Sequence, residues 1–176
     1  MSNDVVHLFL NEVGDEAYIV DLGNPITANG LSALIEDISS IKHIYIFITH
    51  YHIDHCQSLA GFVKNTDILM TMIVPRDMAI PFSGWYLENY PHVFNKIENG
   101  QLEIKMIADE WMQFQGYEIK ALLTYKFEDN TLMHSTVNSV PVWRDTYGNH
   151  KIFSGDFVYS TEYMKQSLEY KLSAVQ

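Results

Sequence analysis

The chain has 176 residues, of which 47% are apolar and 13% aromatic, so it can bury one sizeable core, is too short for two ordinary domains, and is not of the disordered class. Its 11 basic and 22 acidic residues give a net charge of -11, which disfavours a long nucleic acid or an anionic membrane as partner. One cysteine excludes an internal disulfide. The sequence shows neither a basic leader nor a run of about 18 apolar residues. It therefore predicts a single cytoplasmic domain, residues 1–176.

The first half of the chain alternates strand and helix patterns. Apolar runs rich in β-branched residues predict a strand pair, helical spacing from Leu31 predicts a helix that Asn29-Gly30 could start, and a weaker helical pattern follows later. Asn24-Pro25 is interpreted as a break. HIYIFIT is apolar at nearly every position, which predicts a strand buried on both faces. The predicted strands are residues 5–10, 17–22, 43–49 and 67–74, with the later helix at 57–63.

The second half has a different pattern. Apolar, β-rich segments punctuated by ENG, EDN and TYGN predict a mostly antiparallel sheet. From Ser160 the apolar residues return to helical spacing, which predicts a C-terminal helix. The predicted strands are residues 101–108, 116–127, 140–144 and 151–155.

Residues 48–55, ITHYHIDH, place three histidines and one aspartate directly after a predicted buried strand. Sites in α/β sheets usually form where the strands end. In an extended segment His50 and His52 point the same way, whereas Asp54 and His55 face another side at the start of the next helix. This spacing predicts two half-sites for metal. The alternative is that Asp54 caps the helix and the histidines are exposed loop residues.

The segment Thr49–His55 resembles the T-H-x-H-x-D-H motif of the metallo-β-lactamase superfamily. Tyr18–Gly23 is similar to that family's early strand ending in D-x-G, and Ile152–Asp156 to its strand ending in G-D. Met133-His134-Ser135, followed by Ser139, resembles the family's lone-histidine motif. The resemblance implies an α/β fold, an αββα sandwich of two mixed sheets with metal at the edge between them.

The resemblance also implies metal-binding roles for six histidine and aspartate residues of these motifs. His50, His52 and His134 would hold a first metal, Asp54 and His55 a second, and Asp156 would bridge the two. Zinc, as one or two ions, is the expected cofactor, with iron or manganese as substitutes. Hydrolysis by a metal-activated water follows, with Asp54 also holding that water and therefore catalytic.

Three of the implied roles have structural alternatives. The family suggests that Asp21 orients the metal loop, but a strand-end turn would also explain an aspartate there. His134 could be an ordinary core or surface histidine. Asp156 could be a turn residue after Gly155.

The sequence departs from the family after Asp156, because the final histidine ligand of the second metal is missing. The chain is either naturally compact, or a fragment, or completed by another group, with Glu162 and Tyr163 the nearest candidates. A shortened second layer would leave apolar surface uncovered, which predicts a two-fold homodimer.

Aromatic residues after the fourth strand, Trp85, Tyr86 and Tyr90, are candidates for a substrate wall that stacks on a flat group. Packing in the core or at a subunit interface is the alternative. Residues 134–143, HSTVNSVPVW, are most similar to the phosphodiesterase and ribonuclease Z-like branches, so a small nucleotide or related ester is the predicted substrate. A lactonase or thioesterase of the same fold, or a non-catalytic metal-containing binding protein, stays open.

Overall fold

The computed structural model describes residues 6–50, 53–76, 90–108, 110–114, 116–125 and 137–153. The chain divides into two compact units, Met1–Ile107 and Ala108–Gln176, and each is described by itself. That the two units make up one domain stays a prediction.

The first unit is built on a five-stranded sheet with the order β1-β2-β3-β4-β5. β1 is antiparallel to β2, as the predicted strand pair requires, and the remaining neighbours are parallel. Helices connect the parallel strands, as such connections need. The strands are β1 (His7–Leu10), β2 (Glu16–Val20), β3 (His43–Phe47), β4 (Leu69–Pro75) and β5 (Leu102–Ile107), and the helices are α1 (Pro25–Asp37), α2 (Ile53–Cys56), α3 (Leu59–Asn65) and α4 (Pro91–Glu98).

The centre of this sheet is β3, which lies between β2 and β4. Ile44, Ile46 and Phe47 are fully buried, so side chains from both faces of the strand lie in the core. The predicted strand buried on both faces is therefore confirmed. This burial fixes the register, because a shift by one residue would exchange the two faces.

A polar group is buried at the amino end of β2. Glu16 accepts hydrogen bonds from the hydroxyls of Tyr18 at 2.7 Å and Tyr45 at 3.3 Å. Burial, followed by the nearby Glu16 carboxylate, raises the pKa of Tyr45 to about 12. The two tyrosine rings stack at 4.9 Å. Because a buried carboxylate must be satisfied, this group ties β2 to β3.

The second unit contains a four-stranded antiparallel sheet with the order β6-β7-β8-β9. Three of the four strands predicted for the antiparallel second half lie in this sheet. Residues 101–108, predicted with them, instead form β5, which is parallel to β4 in the first unit because helix α4 connects the two strands. Trp143 of β8 is fully buried. At the β8–β9 turn, Asp145 accepts hydrogen bonds from the backbone amides of Tyr147 and Asn149, and Gly148 takes the left-handed conformation, φ +83°. The strands are β6 (Met112–Phe114), β7 (Tyr117–Tyr125), β8 (Val137–Asp145) and β9 (His150–Ile152).

Several predicted boundaries are wrong. Helix α1 begins at Pro25 and not at Asn29-Gly30, because the Asn24 side chain accepts hydrogen bonds from the amides of Ile26 and Thr27. ENG ends helix α4 instead of joining two strands. Strand β6 was not predicted, and β8 begins at Val137 instead of Val140. The predicted C-terminal helix lies outside the described residues.

None of the helices that the structure describes is both long enough and apolar enough to cross a membrane.

We expect Asn24→Ala to lower the free energy of unfolding by about 1 kcal/mol, because the first turn of α1 loses its cap. Asn24→Ser keeps an oxygen acceptor at the same position and should lose only a fraction of that. Urea unfolding of the three proteins checks this. An alanine variant as stable as the wild type would show that the side-chain cap contributes nothing.

Candidate metal centre

The histidine motif follows the carboxyl end of β3, the central strand of the first sheet. Thr49 and His50 have no solvent exposure, and α2 begins three residues later at Ile53. Because β2 and β3 are parallel, with Val20 opposite Phe47, both strands end at the same edge of the sheet. The residue after β2, Asp21, therefore lies beside the motif.

Asp21 holds the backbone of the motif in place. Its Oδ1 accepts a hydrogen bond from the Thr49 amide at 2.9 Å, and its Oδ2 accepts one from the Thr49 hydroxyl at 2.8 Å. Its own amide donates to the Phe47 carbonyl at 2.9 Å. The residue is 3% exposed and takes the left-handed conformation, φ 59°, which aspartate tolerates better than most residues.

The same carboxylate contacts the end of the motif. Nδ1 of His55 donates a hydrogen bond to Oδ2 of Asp21 at 2.8 Å. The Leu22 amide donates to the His55 carbonyl at 3.0 Å, and the Ser58 hydroxyl donates to the Gly23 carbonyl at 2.7 Å. The loop after β2 is therefore attached both to α2 and to the residue that precedes α3.

Thr49 transmits the position of Asp21 to His50. Because its hydroxyl hydrogen is donated to Asp21, the oxygen accepts from Nδ1 of His50, 3.1 Å away. In a neutral histidine the other nitrogen, Nε2, then carries the lone pair. The same reasoning applies to His55. The two rings are 4.0 Å apart between centroids and are inclined by 48°.

These contacts fit a metal site. Ligating histidines usually donate their second ring N–H to a carboxylate, hydroxyl or carbonyl oxygen, which fixes the ring and its tautomer, and His50 and His55 both do so. Neutral imidazoles in this state are ligands that zinc, iron and manganese accept. Two residues do not make a complete site, and the described part of the chain holds no group of three acidic, histidine or cysteine side chains that could bind an ion.

The sequence predicts four further ligands. His52, the side chain of Asp54, His134 and Asp156 lie outside the described residues, so the six-ligand set stays a prediction. Of the predicted substrate wall, Tyr90 directly precedes α4. Trp85 and Tyr86 lie outside the described residues. Thr49 was missed as a candidate residue, although a hydroxyl residue directly before the first histidine was a usable signal.

Comparison with known proteins places the chain in a family. The model of the metallo-β-lactamase superfamily matches residues 4–116, more than half of the chain. No curated protein matches it by sequence. The motif-like segments at 133–139 and 152–156 lie beyond the matched region.

Solved structures of the same fold are similar to the chain at low identity. The metallo-β-lactamase fold protein YhfI from Bacillus subtilis aligns with a TM-score of 0.58 and 13% identity, over 95% of this chain and 62% of that one. A Cronobacter sakazakii metallo-β-lactamase with a HARLDQ motif aligns at 0.56 and 14%, over 97% and 70%. Unliganded yeast PDE1 aligns at 0.56 and 11%, over 78% and 56%.

The chain thus spans between 56% and 70% of the lengths of these three structures, and at such identities the likeness concerns the fold alone. The predicted fold class is confirmed, with two sheets, connecting helices and neighbours of the metallo-β-lactamase fold. From the family match over residues 4–116, the chain belongs to the metallo-β-lactamase superfamily.

Proposed function

We propose that the chain is a metal-dependent hydrolase that activates water at the carboxyl edge of β3. His50, His52 and His134 would hold one ion, Asp54 and His55 would hold a second, and Asp156 would serve both. Zinc is the proposed metal. This function agrees with membership of a superfamily composed mostly of hydrolases.

The observation that supports this proposal best is the sharing of Asp21. Its carboxylate contacts His55 directly and His50 through the Thr49 hydroxyl. In the proposed site the two histidines belong to different half-sites, and with these contacts Nε2 of each ring would be the nitrogen that binds metal. A chain that used these histidines only for packing would not need the same tautomer at both positions.

Ions bound at the site supply Lewis-acid activation of water and of the substrate. The chain's own residues position that chemistry. Asp21 and Thr49 orient the two rings, and the Asp54 carboxylate accepts a hydrogen bond from the attacking water. Polar atoms aimed in advance need little rearrangement during the reaction, which is why such positioning lowers the barrier.

We propose a small phosphodiester, such as a nucleotide, as the substrate. Residues 134–143 resemble the phosphodiesterase branches of the superfamily, and the net charge of -11 disfavours a long polyanion. Trp85, Tyr86 and Tyr90 would provide the flat wall for a base. A carboxylic ester, lactone or thioester is the alternative within the same chemistry.

The first prediction concerns metal content. His52→Ala should lose most of the metal bound by the purified wild-type protein, because it removes a proposed direct ligand. His150→Ala changes an exposed histidine on β9, and this control variant should keep the bound metal. Elemental analysis of the three proteins measures this, and equal metal content in all of them would remove the metal-site proposal.

The second prediction concerns activity. The protein should hydrolyse bis(p-nitrophenyl) phosphate, and a chelator should abolish the reaction until metal is restored. Asp54→Ala should lower the rate at least about a hundredfold, because the attacking water loses its acceptor. Chromogenic esters, a lactone and a thioester are assayed in parallel. Activity on those alone replaces the phosphodiester proposal, and inactivity on every substrate favours a metal-containing binding protein.

The third prediction tests Asp21 without relying on turnover. In Asp21→Asn the side chain must present an amide N–H either to the Thr49 amide or to Nδ1 of His55, so a donor faces a donor. Metal affinity should fall about 10- to 100-fold, measured by competition with a chromogenic chelator. Asp37→Asn, an exposed aspartate at the end of α1, is the matched control. Unchanged affinity in Asp21→Asn would reduce this residue to a structural role.

A further inference from the structure

The outer edge of β5 is the surface that carries a further inference. β5 pairs with β4 on one side, and no strand of the described residues pairs with its other side. It runs for six residues, against four for β1 at the opposite edge of the sheet. Exposed edges of this kind can add a further strand unless the sequence prevents it.

The backbone direction of each β5 residue follows from the ladder. The Met70 amide donates to the Gln101 carbonyl at 2.9 Å. Since alternate residues of a parallel strand bond to the same neighbour, Glu103 and Lys105 direct their backbone groups toward β4. Leu102, Ile104 and Met106 alternate with these residues and direct their backbone N–H and C=O groups toward the outer edge.

The charges on β5 are arranged symmetrically about Ile104. Glu103 and Lys105 lie on the same face of the strand, their charged atoms 3.4 Å apart and their side chains 59% and 38% exposed. An antiparallel copy of β5 with its two-fold axis at Ile104 places each Glu103 opposite Lys105 of the other copy. That position is not hydrogen-bonded across the strands, so the side chains approach most closely there.

The apolar residues follow the same symmetry. Met106 is 60% exposed, and Leu102 is buried. In the antiparallel pairing Met106 of one copy lies opposite Leu102 of the other, and the two Ile104 residues face each other. The Met106–Leu102 pairs and the Ile104–Ile104 pair also exchange backbone hydrogen bonds between the two copies, because the N–H and C=O groups of these residues point outward.

We propose that the chain forms a two-fold dimer in which β5 pairs antiparallel with β5 of a second copy, centred on Ile104. The two five-stranded sheets then form one continuous sheet. The occupant we commit to is a second copy, because β5 itself carries the charge pair that an antiparallel β5 in this register complements, whereas a parallel copy in register would place like charges opposite each other. β1, with the sequence HLFL, has no such pair of charges. The dimer does not depend on metal or on hydrolysis.

Charge reversal tests the register. Glu103→Lys alone and Lys105→Glu alone each turn both attractive pairs of the dimer into repulsive ones, so each should raise the dimer Kd at least about tenfold. When the two variants are mixed, one copy carries two lysines and the other two glutamates. Every facing pair is then of opposite charge, and a heterodimer should form with an affinity close to that of the wild type.

Sedimentation velocity of the full chain over a concentration series measures these equilibria, and circular dichroism confirms that each variant is folded. Lys42→Glu, which reverses a side chain that is 81% exposed outside the edge, should leave the Kd unchanged. A wild-type protein that stays monomeric at the highest concentration overturns the proposal. So does a dimer that neither reversal weakens, or two weakened variants that do not associate when mixed.

Discussion

The carboxylate of Asp21 is the group on which the rest of the candidate site depends. It is buried, so each of its oxygens must find a donor, and the Thr49 amide, the Thr49 hydroxyl and His55 supply them. These three contacts hold both ends of the histidine motif against the end of β2. Loss of this carboxylate would remove the contacts of Asp21 with Thr49 and with His55 together.

The sheet makes this contact possible because β2 and β3 are pinned at both ends. At the amino end, the buried Glu16 accepts hydrogen bonds from Tyr18 of its own strand and Tyr45 of the next. At the carboxyl end, Asp21 accepts from Thr49. A shift of one residue between the strands would separate Glu16 from Tyr45 and Asp21 from Thr49, and it would exchange the faces of β3. The same register therefore serves the stability of the core and the geometry of the site.

How much of the fold the sequence predicts depends on the strength of each local signal. β3 was predictable because the residues from His43 to Thr49 are apolar at nearly every position. The start of α1 was missed because Asn24-Pro25 was interpreted as a break, whereas asparagine followed by proline is equally a helix start. β8 was predicted too short, and it contains Pro141. Since the Pro141 carbonyl accepts from Phe153, the position without an N–H faces the β9 side and leaves the ladder with β7 intact.

For the candidate site, the sequence predicts the ligands better than the contacts that orient them. The motif residues are close in sequence, so spacing alone predicted that His50 and His55 belong to different half-sites. The spacing of the motif cannot show that the orientations of both histidine rings depend on one oxygen of Asp21. This residue lies 28 positions before Thr49 and 34 before His55. Oδ2 of Asp21 accepts from the Thr49 hydroxyl and from His55 together, so a displacement of either donor changes the position of the shared acceptor. The two proposed half-sites are therefore mechanically linked through the protein, even before any ion bridges them.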